Sequence, residues 1–431
     1  MTGSRTGPAP TAATAALERA HREHWGRLLA LLIGVVRSLD VAEDALADSF
    51  AAAVDRWPVD GVPDRPEAWL LTVARRRAVD RLRRDATLAR KLPLLIIDRA
   101  AEATIDGPEG LLDRPVTTIP DERLRLLFTC CHPALAIEAR VALTLRCVGG
   151  LSTAEVARAF LVSEPTIAAR ITRAKKKIAA AGVPYRVPAD SELPERLDGV
   201  LAVLYSVFTE GYAASSGPGP VRADLAGEAI RLTRVVVALM PDEAEAIALL
   251  ALMLLQHSRR NARVDRAGDL VLLADQNRDR WRHDEIAEAF DLLSGAARGR
   301  IGSYLLQATI AAEHARARHA ADTDWARIAE LYAVLDGLTG SPVVRLNRAV
   351  AVAEVDGPRA ALQLLDGLQE PLARHHLFYA ARARFACGVG DHAAAVDDYD
   401  RALALSGVDA DRALLTRRRA ACATHRTQPP D

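Results

Sequence analysis

An all-α protein is predicted, from three observations. Half of the 431 residues are hydrophobic but only 4% are aromatic, and the abundance of Ala, Leu and Arg favours helix throughout. Helix-start signatures precede apolar residues spaced three and four apart in several segments. Near the C-terminus, small and large residues recur 34 positions apart, a period that stacks helical hairpins. The length allows two to four domains. Formal net charge is zero, yet residues 1–183 hold 27 Lys and Arg against 22 Asp and Glu, net +5, and the remainder 29 against 34, net −5. Five cysteines (Cys130, Cys131, Cys147, Cys387, Cys422), odd in number and irregularly spaced, give no disulfide framework and fit a reducing cytosol. The opening stretch lacks a signal-peptide core, and the longest apolar run, Ala246 to Leu255, is too short for a bilayer. A soluble, cytoplasmic chain is therefore expected.

Taken in order, Leu17 to Ser38 reads as an amphipathic helix after a disordered-looking start. Asp40 and Glu43 have capping spacing, and Leu46, Phe50, Ala53 and Trp57 form an apolar stripe that is expected to end at Pro58. Opposite that stripe stand Asp44, Asp48 and Asp55, either a solvated face or a docking surface for a basic partner. Three prolines and a glycine make Pro58 to Pro66 a loop. Glu67 to Arg84 is a strongly basic helix anchored by Trp69, Leu70 and Val73. It offers two stripes, Thr72, Arg76, Val79 and Arg83 on one and Arg77, Arg81 and Arg84 on the other, and the pattern leaves open which one meets nucleic acid. Asp85 to Pro120 reads as a linker with room for a short helix. From Asp121 to Val148 a helical segment is broken at His132-Pro133 and closed by Gly149-Gly150. Adjacent helical residues point about 100° apart, so Cys130, Cys131 and His132 are expected to be core groups and not metal ligands.

Leu151 to Ile178 has the pattern of a helix-turn-helix. Ser152 and Glu155 form a capping box, so a helix should start near Thr153 and bury Val156, Ala157, Phe160 and Leu161. Ser163 supplies a second N-cap with Pro165 tolerated in the first turn, and the second helix should run from Glu164 past Lys177. Ile167, Ile171, Ala174 and Ile178 make its apolar stripe, leaving Ala169, Thr172, Arg173 and Lys176 opposite. Pro165, Thr166, Ala169 and Arg173 fall on the side that meets base edges, and Lys175, Lys176 and Lys177 mainly on the phosphate side. Besides these three lysines the chain has only Lys91.

In the C-terminal half, Arg196 to Thr209 is one helix between Pro- and Gly-rich ends, and Leu225 to Met240 and Asp242 to Arg263 form a hairpin joined at Pro241. Ala349, Ala361, Leu365 and Leu368 recur as Ala383, Ala395, Tyr399 and Ala402, and hairpins such as 301–320 with 323–335 should complete the stack. Clusters at Arg222 and Asp224, at Arg259, Arg260 and Arg263, and at Asp275, Gln276, Arg278 and Trp281 are surface ion pairs and caps or the wall of a ligand pocket. No nucleophile with an adjacent base, phosphate loop or HExxH spacing occurs, so neither catalysis, a cofactor nor a metal is expected.

The order of these parts resembles a bacterial RNA polymerase sigma factor of the extracytoplasmic-function class. VAEDALADSF (41–50) resembles the region that docks on the clamp helices of the largest polymerase subunit, and PEAWLLTVARRRAVDRLRR (66–84) the helix that melts and reads the minus-ten element. The helix-turn-helix resembles the minus-thirty-five reader, and the linker would enter the active-site cleft. Two positions depart from the class: Ala47 stands where Gln is usual, and Arg76 where Asn usually follows the Ala74-Arg75 pair. LFTCCHPAL, VFTEGYAA and VVRLNRAVAVAE resemble the group with a long tetratricopeptide-like C-terminal extension.

The implied domains are region 2 (15–85), linker (86–120), region 4 (121–182), a helical extension (183–290) and repeats (291–425). Expected DNA contacts are Arg75, Arg76, Arg83, Pro165, Thr166, Ala169, Arg170, Thr172, Arg173, Lys175, Lys176 and Lys177; expected polymerase contacts are Asp44, Asp48 and Asp55. The expected partners are the polymerase core (clamp helices and flap) and promoter DNA, not a membrane, with a protein or small-molecule regulator at the C-terminal domain. The competing reading is a helical-repeat scaffold whose DNA-binding part acts without polymerase.

Overall fold

A computed structural model describes residues 12–91, 119–160, 162–183, 192–212, 223–265, 271–296, 301–407 and 409–425. The described residues are overwhelmingly helical and include no β-strand. They group into two compact units that divide between Val203 and Leu204. Residues 1–11 of the expected disordered start, residues 92–118 of the expected linker (86–120), Leu161 and Arg222 lie outside the described residues; 12–16, 86–91 and 119–120, expected to be irregular, are helical, since the flanking helices run on past the sequence boundaries.

The first unit contains α1 (Ala12–Val36), α2 (Leu39–Asp60), α3 (Pro66–Lys91), α4 (Ile119–Cys130), α5 (Ile137–Leu143), α6 (Thr153–Ala159), α7 (Glu164–Ala180) and the start of α8 (Leu193–Tyr212). A π-helical turn, Thr144–Val148, continues α5. The apolar stripe of α2 is buried as expected, with Leu46, Phe50, Ala53 and Trp57 in the core beside Trp25 of α1 and Leu70 of α3. Both boundaries of α2 differ from the sequence reading. Ser38, not Asp40, caps α2, its hydroxyl accepting from the Val41 N–H, because the chain reverses at Arg37 in a left-handed conformation (φ 56°) just before it. The helix also runs through Pro58 to Asp60, where Gly61 (φ 87°) stops it and donates to the Trp57 carbonyl; proline forfeits one backbone bond there and the last turn tolerates the loss.

The second unit holds the rest of α8, then α9 (Ala223–Leu239), α10 (Ala244–His257), α11 (His283–Ala296), α12 (Ser303–Arg316), α13 (Trp325–Thr339), α14 (Pro342–Val355), α15 (Pro358–Leu364), α16 (His376–Gly388), α17 (His392–Leu405) and α18 (Asp409–His425). The hairpin at Pro241 is present, but 241–243 form a turn, and α10 stops at His257 instead of reaching Arg263. Glu245 of α10 supplies a cap that no local sequence rule reveals. Its carboxylate accepts from the backbone N–H groups of Tyr304 and Leu305, at 2.9 and 3.0 Å, at the start of α12.

All eight residues of the 34-residue recurrence sit in one buried cluster. Ala349, Ala361, Ala383, Ala395 and Ala402 are fully buried, so neighbouring helices approach closely while Leu365, Leu368 and Tyr399 fill the gaps between them. The cysteine expectation fails at this end of the chain. Cys387 and Cys422 are joined as a disulfide, 35 residues apart and with Cα atoms 6.3 Å from each other. Spacing rules miss this pair because stacking of successive helices, not local sequence, brings it together. Cys130, Cys131 and Cys147 are the buried free thiols anticipated for the core.

Gly26 of α1 packs against the π-helical turn so closely that a β-carbon there would run into the Val148 carbonyl oxygen. Gly26→Ala is therefore expected to lower the unfolding free energy by about 1–3 kcal/mol, the range for overpacking a fixed contact, read by urea denaturation.

Candidate nucleic-acid and polymerase interface

Two short helices of the first unit carry the expected capping chemistry. At α6 the Ser152 N–H donates to Glu155 at 2.7 Å and the Glu155 N–H donates to the Ser152 hydroxyl at 3.2 Å. At α7 the Ser163 hydroxyl accepts from the Thr166 N–H, and Pro165 occupies the first turn. Val156 and Ala157 of α6 and Ile167, Ile171 and Ala174 of α7 are buried, whereas Phe160 and Ile178 are only half-buried. One face of α7 thus presents Pro165, Thr166, Ala169, Thr172, Arg173, Lys176 and Lys177, all exposed, with Arg170 half-buried at its edge.

Lys175 departs from the expected phosphate side. Its ammonium donates to Asp40 at 2.8 Å and to Glu43 at 2.6 Å, both on α2. Arg146 holds the other Glu43 oxygen at 2.6 Å and stacks on Trp25, 5.3 Å from the ring centre. Glu43 is 7% exposed. A carboxylate so placed persists only because two cations satisfy it. Burial opposes the charge on Lys175, but Glu43 and Asp40 outweigh burial and raise its pKa above the ordinary lysine range. Burial lowers the pKa of His21, and the nearby Arg146 charge adds to the shift. Arg146 carries no signal in the sequence, and Glu43 reads there as a capping residue because its partner Lys175 is 132 positions away.

Asp44, Asp48 and Asp55 are exposed on α2. Two of them face α3: Asp44 pairs with Arg81 at 2.5 Å and Asp48 with Arg77 at 3.5 Å. Between these pairs lies an open groove of 590 Å³ bordered by Asp80 and Arg84. The stripe of Arg77, Arg81 and Arg84 therefore lies along the acidic ridge. Thr72, Arg76 and Arg83 are exposed on α3 away from it, but Val79, expected on their stripe, is buried. Arg75 is half-buried, with its Nε lacking a partner and its pKa lowered by burial.

Cys130, Cys131 and Cys147 line the core between α4 and the π-helical turn, and Cys131 Sγ lies 3.4 Å from the Thr144 hydroxyl. Burial raises the Cys131 thiol to about 11, opposed by the Thr144 contact; such a thiol stays protonated and packs as an apolar group.

Comparison with known families agrees with this geometry. Residues 21–87 match sigma-70 region 2, and residues 125–178 match sigma-70, region 4. This chain belongs to the sigma-70 family. Residues 196–297 match a family of unknown function, DUF6596. The chain is also 43% identical over 380 residues to an uncharacterized protein of Rhizobium meliloti (strain 1021), covering 87% of this chain and 88% of that protein. A sigma-70 protein is a transcription initiation factor and not an enzyme, and regions 2 and 4 imply RNA polymerase core and promoter DNA as partners. No helix among the described residues is long and apolar enough to cross a membrane.

Glu43→Gln leaves Lys175 and Arg146 without their shared anion, so it should cost about 3–5 kcal/mol, the range for breaking a buried pair by removing one partner. A lysine with a raised folded pKa contributes stability below its unfolded value and loses it as pH rises through the folded value. Alkaline unfolding of the wild type should therefore show a stability drop above the ordinary lysine value of 10.5 that Lys175→Met lacks; a similar drop in that variant would assign it to other groups.

Proposed function

We propose that this sigma-70 protein is of the extracytoplasmic-function class, acts in the cytoplasm, and depends on its tetratricopeptide-like C-terminal extension for initiation. The observation that carries the promoter-reading half is the exposed polar face of α7 behind a capped N-terminus, with Thr166, Ala169, Thr172 and Arg173 side by side. In that reading those residues, with Pro165, meet base edges of the minus-thirty-five element, and Arg170, Lys176 and Lys177 meet phosphates. Lys175 joins them only when released from Glu43. On α3, Arg75, Arg76 and Arg83 are assigned to promoter DNA, because their side of the helix is turned away from the acidic ridge that Arg77 and Arg81 face. The ridge of Asp44, Asp48 and Asp55 is the docking surface for the polymerase clamp helices.

The extension supports a regulatory role by its size, its 34-residue recurrence and its net charge of −5 beyond residue 183. That charge is spread too thinly to mask basic helices at a physiological Debye length of about 8 Å, which favours a positively acting extension over pure inhibition. A cavity of 250 Å³ in the second unit, bordered by Tyr205, Gln256, Arg259, Trp281 and His314, offers a place for a small-molecule regulator. Burial, with Arg259 and Arg278 adding to it, lowers His314 to about 4, so this wall presents a neutral imidazole at neutral pH.

Arg173→Ala is expected to lower promoter-specific transcription by about fivefold to 150-fold, the cost of a lost Arg–base contact of about 1–3 kcal/mol, with the defect confined to one upstream position. Lys176→Ala should weaken all promoters alike and flatten the salt dependence. Normal initiation by Arg173→Ala across a panel of upstream-element variants would place the reading face elsewhere. In transcription with core polymerase, a chain ended after Tyr212, which keeps the Arg196 bond to the Phe128 carbonyl, should be inactive. A gain in activity would show inhibition instead, and failure of the full chain to co-elute with core would favour a polymerase-independent DNA-binding scaffold.

A further inference from the structure

Three side chains of metal-binding type converge near the C-terminal end of the second unit. Cys387 belongs to α16, His392 opens α17 and Cys422 lies in α18. His392 Nδ1 stands 3.6 Å from Cys387 Sγ and 3.4 Å from Cys422 Sγ, and the three donor atoms all lie within 4.8 Å of one another. The two sulfurs are bonded here, with Cα atoms 6.3 Å apart. That backbone separation suits a disulfide, which accepts about 4.4–6.8 Å. It equally suits two thiolates on one tetrahedral ion at about 2.3 Å each, because side-chain rotation alone can part the sulfurs. The bonded and the metal-holding states therefore require the same helix positions.

We propose that in the reduced chain Cys387, His392 and Cys422 hold one zinc ion, and that a peroxide converts the two cysteines to the disulfide and releases the ion. Two sulfurs and an imidazole nitrogen, without a carboxylate among them, select a borderline-soft cation over calcium or magnesium. Three protein ligands leave a fourth position for water. Cys387 is half-buried and Cys422 buried, so peroxide meets Cys387 first. Its sulfur attacks one peroxide oxygen, the O–O bond breaks, a sulfenic acid forms, and the departing hydroxide takes a proton to become water. The Cys422 sulfur then attacks that sulfenic sulfur, the S–S bond forms and the S–O bond breaks, releasing a second hydroxide that is protonated to water. Two electrons leave the two sulfurs and reduce one peroxide to two waters. Zinc, left with His392 alone, dissociates. In both states α18 stays tied to the α16 and α17 pair; only the reduced, metal-free chain lacks the tie.

This inference stands apart from the promoter-reading proposal, since it is tested by metal content and not by transcription. The full chain, reduced with a phosphine, is loaded with zinc chloride, desalted and assayed for metal; cobalt chloride in place of zinc reports thiolate ligation by its charge-transfer absorption. One ion per chain is expected, with a higher melting temperature than the reduced metal-free chain. His392→Gln, which keeps both cysteines, and Cys422→Ser should each lose the ion while circular dichroism shows the fold retained. Hydrogen peroxide should release zinc to a chromogenic chelator in step with a peptide cross-linked between Cys387 and Cys422, seen by mass spectrometry. A wild-type chain that emerges metal-free overturns the proposal. So does either variant holding as much zinc as the wild type, which would move the ion to other groups, or peroxide forming the cross-link while zinc stays bound.

Discussion

A carboxylate buried in a protein must be paired or pay several kcal/mol for its lost hydration. In the first unit that constraint falls on Glu43, and its two cations come from the region 4 half of the unit: Arg146 from the π-helical turn and Lys175 from α7. The pairing fixes more than one side chain. Arg146 is laid across Trp25, Trp25 backs against Gly150 where the chain turns with φ 77°, and Gly26 seats the π-helical turn. Region 2 and region 4 thus share a desolvated charge cluster framed by glycines, beside the packing of α1 on α4 and on the π-helical turn. Like any such cluster, it is stable when complete and costly when one member is removed.

The same unit separates two kinds of basic residue. Arg77 and Arg81 face acids on a neighbouring helix, whereas Arg76 and Arg173 stand exposed on α3 and α7. Exposed ion pairs such as Asp48 with Arg77 contribute little to stability, so their larger effect is on which charge a partner meets. For α2 the acidic ridge is partly answered from within. A basic partner must compete with Arg77 and Arg81 for Asp48 and Asp44, and Asp55, beyond their reach, offers the least contested charge.

Much of this was legible from the sequence because it rests on local rules. The Ser152–Glu155 and Ser163 caps, the apolar stripes of α2 and α7 and the eight-residue recurrence of the second unit are each set by neighbours three, four or 34 positions away. What escaped depends on partners that only folding supplies. Glu43 looked like a cap because Glu three residues after a polar group satisfies that rule, yet Ser38 wins the role. Lys175 looked like its neighbours Lys176 and Lys177, yet the helical turn places it toward α2 and them toward solvent. Cys387 and Cys422 looked unpaired because no rule of spacing anticipates a stack of helices.

The scarcity of lysine gives the Glu43 cluster an unplanned use. With Lys91 as the chain's one other lysine, the run 175–177 concentrates nearly all its side-chain amines on a single helix. Lys175 has 15% of its side chain exposed, while Lys176 and Lys177 beside it are exposed. An amine-reactive label therefore has its internal standard in the next two residues of the chain: Lys176 and Lys177 report the reagent, and Lys175 reports whether α7 is still held against α2. Separation of the two regions, whatever partner drives it, would be readable as a change in labelling at one residue.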